Sequence, residues 1–348
     1  MKPMKKNIAL LLLIGIGSGI NFSASAQDPS FSQFYSSPLN ISPALAGSGS
    51  ADWRIISNFR NQSIGNQFIS LNTTSLSFDG KIVKQQYRSS NYVGMGLMVL
   101  QDAGLAGAYR NNNAQLSVSS HVSLDEEDNH GISAGLGVVY NNTIVKPDMI
   151  DYSSQISFNG FDPNISTLED LAMFNYRPNY FSVTAGICYT YTSDKANFDI
   201  GVSGYRFTAK NRSILGNQKT MDQPRYNVHA DFQTYLNDRL VVNINTVYIS
   251  ESFANTMVVG ANFGRIMALE DLPTVLNGGL WYRKGTTTSI IPYVGIMYKN
   301  MQAGITYDIN INNAKNNSIG SGLLRTFELS LIFRKPGKNG RLMDSFGK

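Results

Sequence analysis

One stretch of the sequence has the spacing that holds a nucleophilic serine in many hydrolases. Gly131, Ser133 and Gly135 fit the pattern G-x-S-x-G, which in a nucleophile elbow joins a strand to a helix through a sharp turn. His121 and Asp231 are the residues that could complete a serine–histidine–acid set. Ser133, however, lies inside a run of alternating residues, which indicates a strand that continues past it. We therefore interpret these residues as solitary polar groups on an inward face and expect no enzyme activity.

Other residues that can bind metals or act as nucleophiles are few. The run Asp125–Asp128 is acidic, but it lacks the spaced oxygen ligands and the glycine of a calcium loop, which favours a solvated turn. Cys188 is the single cysteine; one thiol forms no internal disulfide, and we interpret it as a small residue in a strand. No zinc, phosphate-loop or dinucleotide motif is present. The sequence thus predicts no catalytic residue, no metal site and no cofactor.

The first 26 residues have the composition of a secretory signal peptide. Three lysines precede an apolar run at residues 8–16, and Ala24 and Ala26 fit the small-residue cleavage rule. Cleavage there removes those lysines from a net charge of +5, so the basic balance gives no reason to expect nucleic-acid binding. The remainder has no run of the roughly 20 apolar residues that a membrane helix requires. Only strands are left as membrane-crossing elements.

Strict alternation of apolar and polar residues dominates the rest of the chain. Residues 181–191 set Phe, Val, Ala, Ile and Tyr against Ser, Thr, Gly and Cys, and residues 301–311 repeat the pattern. The alternation slips around Thr73–Leu76, which predicts a β-bulge there. We count about 14 such runs, near residues 53–60, 69–80, 90–101, 112–123, 129–140, 179–191, 196–207, 225–236, 238–249, 253–264, 276–284, 287–298, 300–311 and 323–334.

The character of the two faces distinguishes a membrane barrel from a soluble one. Only 15% of the residues are charged, and those charges cluster in the connections rather than on the polar face. Aromatic residues gather near the ends of the runs, as in the interfacial girdles of membrane barrels. Strands of roughly 9–12 residues fit a tilted membrane crossing. The sequence therefore predicts an all-β protein, a transmembrane antiparallel β-barrel of about 14 strands.

The lengths of the connections predict the orientation of this barrel. The long connections at 141–178, 208–224 and 312–322 follow odd-numbered runs, whereas most short ones follow even-numbered runs. Periplasmic turns are normally the short ones. We therefore expect both termini on the periplasmic side. The connections at 81–89 and 265–275 are longer than simple turns and are candidates for periplasmic contacts.

Residues 27–47, QDPSFSQFYSSPLNISPALAG, differ from the strand runs. Their three prolines cannot donate to a central ladder, and each biases its predecessor toward extended backbone. Six large apolar side chains are too many for a free linker. We expect an extended segment that packs at or in the periplasmic mouth of the barrel and plugs or rigidifies the lumen. The expected anchors are Phe31, Phe34 and Tyr35.

The same segment closely resembles the start of mature PorP/SprF-family proteins, the outer-membrane barrels associated with type IX secretion in Bacteroidota. The family pattern is roughly Q-D-P-x-F-S-Q-F-Y-x-x-P-L-x-x-N-P-A-x-x-G. The matching positions are Gln27, Asp28, Pro29, Phe31, Ser32, Gln33, Phe34, Tyr35, Pro38, Leu39, Pro43, Ala44 and Gly47. Ser42 stands where the family pattern has Asn. Further matches lie at residues 59–62, 77–80, 94–100, 278–283 and 304–308.

This resemblance implies a non-enzymatic outer-membrane component of the type IX secretion and gliding machinery. Such a protein supports the export or surface attachment of proteins, including large adhesins, that carry a type IX C-terminal domain. The implied partners are outer-membrane lipid, that cargo domain and periplasmic secretion-ring or motor components, with no nucleic acid. The candidate structural or partner-binding residues are Phe31, Ser32, Gln33, Phe34, Tyr35, Pro38, Leu39, Pro43, Ala44 and Gly47.

The expected organisation places these parts in order along the chain. It comprises a signal peptide (1–26), an extended motif segment (27–50), the barrel (51–334) and a basic periplasmic tail (335–348). The expected location is the outer membrane of a Gram-negative, Bacteroidota-like bacterium. The polar inward face leaves one alternative function open, an outer-membrane diffusion channel for small or hydrophobic solutes.

Overall fold

The computed structural model describes residues 30–64, 69–84, 91–158, 160–162, 164–168, 179–208, 223–251, 254–267, 274–285, 287–311 and 325–336. Within these ranges fourteen strands close into one antiparallel barrel, which confirms the predicted fold class. No helix in the described ranges is long and apolar enough to cross a membrane. The signal peptide and the tail beyond residue 336 lie outside the described residues and stay predictions.

The barrel strands follow one another around the wall in chain order. They are β1 (Ala51–Ile64), β2 (Ile69–Lys84), β3 (Tyr92–Gly104), β4 (Tyr109–Ser123), β5 (His130–Val145), β8 (Tyr180–Thr192), β9 (Ala196–Tyr205), β10 (Arg225–Asn237), β11 (Leu240–Glu251), β12 (Ala254–Ile266), β13 (Thr274–Lys284), β14 (Ser289–Tyr298), β15 (Met301–Asn310) and β16 (Arg325–Pro336). Two short strands, β6 (Ile156–Ser157) and β7 (Gly160–Phe161), form a separate hairpin between β5 and β8. Because β1 pairs with both β2 and β16, the barrel sheet has no free edge.

The two ends of the barrel carry different connections. We call the end where β1 begins and β16 ends the terminal end, and the opposite end the loop end. The loop end carries the β5–β8 connection, with its β6–β7 hairpin and short helical turns at Pro147–Met149 and Ser153–Gln155. Which end faces the periplasm stays a prediction.

The predicted bulge at Thr73–Leu76 is wrong. The register between β1 and β2 runs unbroken from Arg60↔Thr73 to Ser57↔Leu76. The shift lies instead between Lys81 and Val83, against β3. The pattern misled because Asn72 and Thr74, on either side of the inward Thr73, are also polar. Four consecutive polar residues, Asn72–Ser75, therefore interrupt an alternation that the backbone keeps.

The wall is apolar outside and polar inside. Outward side chains such as Leu136 (65% exposed) and Val294 (71% exposed) contrast with buried inward residues such as Ser182 and Thr184. The apolar face therefore lies where lipid surrounds a membrane barrel, and the polar face lines the lumen.

Aromatic side chains meet near both ends of the wall. The Trp53 ring centroid lies 6.2 Å from that of Phe78 and 5.6 Å from that of Phe333, toward the terminal end. Toward the loop end, the Tyr140 and Phe181 centroids lie 5.2 Å apart. Such clusters are typical of the interfacial girdles of membrane barrels.

Candidate functional site

The lumen is occupied by residues 30–50, which we call the plug. The plug forms three short helical turns, Phe34–Ser36, Pro38–Ile41 and Pro43–Leu45. The expectation of an extended segment is therefore wrong. Pro38 and Pro43 each begin a turn, because the fixed φ of proline suits the first helical position, where no N–H is needed. The Ser42 hydroxyl caps the last turn by accepting a hydrogen bond from the Ala44 N–H at 3.2 Å.

The start of the plug is held by two buried carboxylates. The backbone N–H groups of Ser32 and Gln33 donate to the two oxygens of Glu328, at 2.8 and 3.0 Å. The Ser32 hydroxyl donates to Asp308 Oδ1 at 2.8 Å. Because β16 and β15 contribute these carboxylates, the plug is bonded to the strands that complete the barrel.

Two arginines balance these carboxylates. Arg60 Nε lies 3.2 Å from Glu328 Oε1, and Arg283 Nη1 lies 2.6 Å from Asp308 Oδ2. Arg283 also donates to the Ser32 hydroxyl at 2.5 Å, and Arg60 donates to the Ser30 carbonyl. A buried charge is tolerated when it is paired and hydrogen-bonded, and these four are. We call Ser32, Gln33, Arg60, Arg283, Asp308 and Glu328 the loop-end anchor.

The end of the plug contacts a buried ion pair of β1 and β2. Arg54 Nε lies 2.8 Å from Asp79 Oδ1, with both side chains buried. Asp79 Oδ2 accepts from the Gly47 N–H at 2.7 Å, and Arg54 Nη2 donates to the Leu45 carbonyl at 3.1 Å. We call Leu45, Gly47, Arg54 and Asp79 the terminal-end anchor.

Gly47 is required in this anchor by backbone conformation and by space. Its φ of +67° is in the left-handed region, where a side chain costs energy. A Cβ at this position would lie 2.9 Å from the Gly80 carbonyl oxygen. The family motif therefore ends in glycine for a physical reason visible in this chain.

The middle of the plug packs through aromatic rings. Tyr35 stacks on Trp281 with centroids 5.3 Å apart, and the Tyr293 ring stands edge-on to Tyr35 at 6.0 Å. Trp281 is fully buried and donates its indole N–H to Asn245 Oδ1 at 2.5 Å. Phe34 is buried in the same cluster. Rings in such offset and edge-on contacts stabilise the plug beyond the effect of area alone.

Inward polar side chains bind the carbonyl groups of the helical turns. The Leu39 carbonyl accepts from Gln115 at 3.1 Å and from the Tyr205 hydroxyl at 2.7 Å. The Ile41 carbonyl accepts from Asn227 at 2.8 Å. The polar inward face therefore serves to satisfy plug backbone that would otherwise be buried without partners.

Glycines on the inward face make room for the plug. A Cβ at Gly94 would lie 2.1 Å from the Ala46 carbonyl oxygen, and one at Gly135 would lie 2.4 Å from the Ala44 nitrogen. A Cβ at Gly186 would lie 2.3 Å from the Ser42 hydroxyl. Gly135, the last residue of the G-x-S-x-G match, is thus a position of close approach between strand and plug.

The plug reaches deeper than the mouth at which the sequence placed it. Ser32 contacts Arg283 and Asp308 near the loop-end termini of β13 and β15. Gly47 contacts Asp79 on the half of β2 that leads to the terminal end. Inward charges on the loop-end half of the wall supply partners that the sequence pattern did not identify.

Nine of the ten predicted motif residues are buried inside the barrel, and Tyr35 is partly buried. They are Phe31, Ser32, Gln33, Phe34, Tyr35, Pro38, Leu39, Pro43, Ala44 and Gly47. Their partners Arg54 and Glu328 were missed. Arg60, Asp79, Arg283 and Asp308 were also missed as site residues, although they lie in the shorter family matches at 59–62, 77–80, 278–283 and 304–308. They could have been found from the sequence as charged residues at inward-facing positions of strands that otherwise alternate between apolar and polar residues.

The residues weighed for catalysis are only partly brought together. His121 Nδ1 lies 2.8 Å from the Ser133 hydroxyl, so these residues are paired rather than solitary. Gly131 allows this, because a Cβ there would lie 2.5 Å from the His121 ring. Asp231 lies on β10, where its cross-strand neighbours are Asp199 and Asn245. Ser133 sits in the unbroken β4–β5 ladder without the strand–turn–helix of a nucleophile elbow.

The acidic turn and the single cysteine, the remaining candidates for chemistry, have contacts typical of structural residues. The Asp125 carboxylate accepts hydrogen bonds from the backbone N–H groups of His130 and Asn129, at 2.8 and 3.1 Å. These hydrogen bonds hold the pKa of Asp125 below its usual value, and the bond from His130 has the largest effect. Cys188 is buried against the plug cluster. Among the described residues, no three His, Cys, Asp or Glu side chains converge to hold a metal ion.

The fold and the occupied lumen define an outer-membrane β-barrel filled by its own N-terminal segment. A model of the family described as "Type IX secretion system membrane protein PorP/SprF" matches residues 23–333. Because this match spans nearly the whole sequence, the chain belongs to the PorP/SprF family. The comparison with curated proteins yields no match.

Solved structures of other outer-membrane barrels resemble the fold. A Pseudomonas aeruginosa FadL homologue matches with a TM-score of 0.50 and 9% identity, over 81% of this chain and 90% of that one. The CymD monoaromatic hydrocarbon channel matches with a TM-score of 0.51 and 9% identity, over 88% of this chain and 94% of that one. At such identity the likeness is one of fold alone.

Proposed function

We propose that this protein is a plugged docking barrel of the type IX system that supports export or surface attachment of proteins carrying a type IX C-terminal domain. Family membership makes it a type IX secretion membrane protein. The observation that carries the proposal is the lumen: residues 30–50 fill it with mostly buried side chains, and their backbone N–H groups bond to carboxylates of the wall. A filled lumen supports a scaffold whose partners bind its ends.

The motif residues then have a structural role in this proposal. Ser32, Gln33 and Gly47 seat the plug in the two anchors, while Phe34 and Tyr35 fill its middle. A rigid plug keeps both mouths in one shape, because the loop-end anchor joins four strands and the terminal-end anchor joins two. The partners would bind to this fixed frame.

The β6–β7 hairpin supports a docking surface at the loop end. Phe158 is fully exposed and Leu168 is 90% exposed, and Ile156 and Phe161 are also exposed. Large apolar side chains at loop tips are typical of protein-interaction sites. We assign this surface to the C-terminal domain of the cargo protein, with the loop end facing outward. Periplasmic ring or motor components would bind at the terminal end.

Deleting the gene and measuring surface display of the proteins that carry type IX C-terminal domains tests the proposal. We expect at least one of them to be lost from the surface and to return when the native chain is supplied. A Phe158→Ser, Phe161→Ser variant should reach the outer membrane in native amounts and restore display poorly. Leu105→Ser, which removes an exposed apolar side chain from the β3–β4 connection outside the hairpin, is the matched control and should restore it fully.

Two outcomes would count against the proposal in different ways. Unchanged display of every such protein after deletion would refute the secretion role. Full restoration by the hairpin variant would refute the docking surface and leave the secretion role standing.

The alternative function is a diffusion channel for small or hydrophobic solutes. The polar inward face and the shared barrel fold motivate it. The plug opposes it, because solute would have to pass between buried, hydrogen-bonded surfaces. Conductance of the purified native barrel discriminates: a sealed barrel supports the scaffold, and steady solute-dependent conductance supports the channel.

A further inference from the structure

A cavity of about 50 Å³ lies between the plug and the inward face of β9 and β10. Its two walls differ in chemistry. The plug wall is mostly apolar and aromatic, and the barrel wall is mostly ionisable. The plug contributes Phe34, Tyr35, Pro38, Ile41, Leu45 and Ser48, and the barrel contributes Asp199, His229, Ala230 and Asp231.

His229 is the most informative residue of the barrel wall. Its side chain is 6% exposed, and neither ring nitrogen has a hydrogen-bond partner among the described residues. The ring fits because a Cβ at Gly201 would lie 2.5 Å from His229 Cε1. Leaving buried polar atoms without partners costs free energy. The contents of the cavity must therefore supply them.

A carboxylate on the same wall favours a positive charge in the cavity. Asp231 borders the cavity beside His229, and Asp199 lies directly opposite Asp231 across the β9–β10 ladder. Hydrogen bonds between an ammonium group and a carboxylate are charge-assisted and stronger than neutral ones. A cation in the cavity therefore has an acceptor at Asp231.

The size and spacing of the cavity limit which cation fits. Among the residues that the structure describes, no three metal-ligating side chains converge there closely enough for a bare metal ion. A cavity needs about 10–15 Å³ of such volume to hold one water-sized group, so this cavity has room for roughly four of them. The aromatic wall of Phe34 and Tyr35 suits a cation that also carries carbon. A protonated primary amine combines three N–H donors, a positive charge and a short apolar end.

We propose that this cavity binds a small alkylammonium ion, with its ammonium group between Asp231 and His229 and its carbon end against Phe34 and Tyr35. The neutral imidazole accepts one N–H, and the Asp231 carboxylate accepts another. Because the ligand touches both walls, its binding stabilises the seated plug. This inference does not depend on the protein's role in secretion.

The purified full-length barrel in detergent provides the first test. Thermal unfolding is followed by tryptophan fluorescence. Trp281 contributes to this signal and stacks on Tyr35, which lines the cavity. Ethylammonium chloride should raise the unfolding midpoint beyond sodium chloride at equal ionic strength. Tetramethylammonium chloride, which has no N–H and is bulkier, should act like sodium chloride. No difference between ethylammonium and sodium would overturn the proposal.

Paired variants test the site itself. Asp231→Asn keeps the shape but removes the charge, and should weaken ethylammonium binding about tenfold or more in calorimetry. Asp125→Asn removes a carboxylate from an exposed turn outside the cavity and should leave binding unchanged. Equal binding by both variants would overturn the proposal.

A structure of the native protein with ethylammonium keeps the inference testable if Asp231→Asn does not fold. Density bridging Asp231 and His229 would support it. Ordered water alone in the cavity, with ethylammonium present at saturating concentration, would overturn it.

Discussion

The two anchors of the plug differ in how far apart their residues lie along the chain. The terminal-end anchor joins Gly47 to Asp79, only 32 positions away. The loop-end anchor joins Ser32 to Glu328, 296 positions away. The first can form once β1 and β2 pair, whereas the second requires β16, the strand that closes the barrel. Seating the start of the plug is therefore coupled to barrel closure, while its end is tethered by the chain itself.

The largest effect is expected from removing the middle of the plug, which leaves the two anchors to act alone. Phe34→Ala with Tyr35→Ala deletes two ring side chains, and each such change in a core costs about 3–5 kcal/mol. The unfolding midpoint should fall and conductance in planar bilayers should rise. Phe181→Ala, on the lipid face, is the control for conductance. If the double variant stays sealed and stable, the aromatic middle does not close the lumen.

The next largest effect is expected at the loop-end anchor. Glu328→Ala leaves Arg60 buried without its partner, a loss that costs about 3–5 kcal/mol. The start of the plug should become sensitive to limited proteolysis, because the backbone N–H groups of Ser32 and Gln33 lose the carboxylate that accepts their hydrogen bonds. Glu328→Gln keeps one acceptor oxygen and should give a smaller loss. Native protease resistance in the Ala variant would contradict the coupling of plug and closure.

A smaller effect is expected at the terminal-end anchor. Asp79→Asn keeps one acceptor oxygen and weakens the charge-assisted bonds to Arg54 and Gly47, a loss of about 1.5–3 kcal/mol in all. The unfolding midpoint should fall, but conductance should stay low, because the chain still tethers this end of the plug to β1. Conductance equal to that of the Glu328→Ala variant would show that the two anchors do not differ in the way proposed.

The smallest effect is expected from a single methyl group. Gly47→Ala places a side chain at positive φ, at a cost of about 1–2 kcal/mol, and crowds the Gly80 carbonyl. Gly278→Ala is the matched control, because a Cβ there meets nothing within 4 Å. Equal unfolding midpoints for the two variants would show that the backbone at Gly47 adjusts freely.

The strands could be predicted from the sequence because their signal is local. Alternation over about ten residues specifies both the strand and its lipid-facing side, as residues 181–191 illustrate. The one error in pattern, at Thr73–Leu76, arose where an outward position carries threonine. The family motif identified the plug residues, since it lies in one continuous stretch.

The anchors could not be predicted in the same way. Arg60, Arg283, Asp308 and Glu328 meet only because barrel closure brings β1, β13, β15 and β16 around one lumen. No local sequence pattern specifies which inward charges on distant strands lie at the same level along the barrel axis. The Ser133–His121 pair is another example, since it depends on the β4–β5 register.

The sequence by itself determined a membrane-type barrel of about fourteen strands with an N-terminal family motif, because period-two alternation and a continuous motif are properties of neighbouring residues. Only the tertiary structure decided that the motif folds into helical turns, lies deep in the lumen and is held at both ends by ion pairs. The loop-end contacts join residues as much as 296 positions apart and exist only after the barrel has closed. The terminal-end contacts span 32 positions and need only the pairing of β1 with β2.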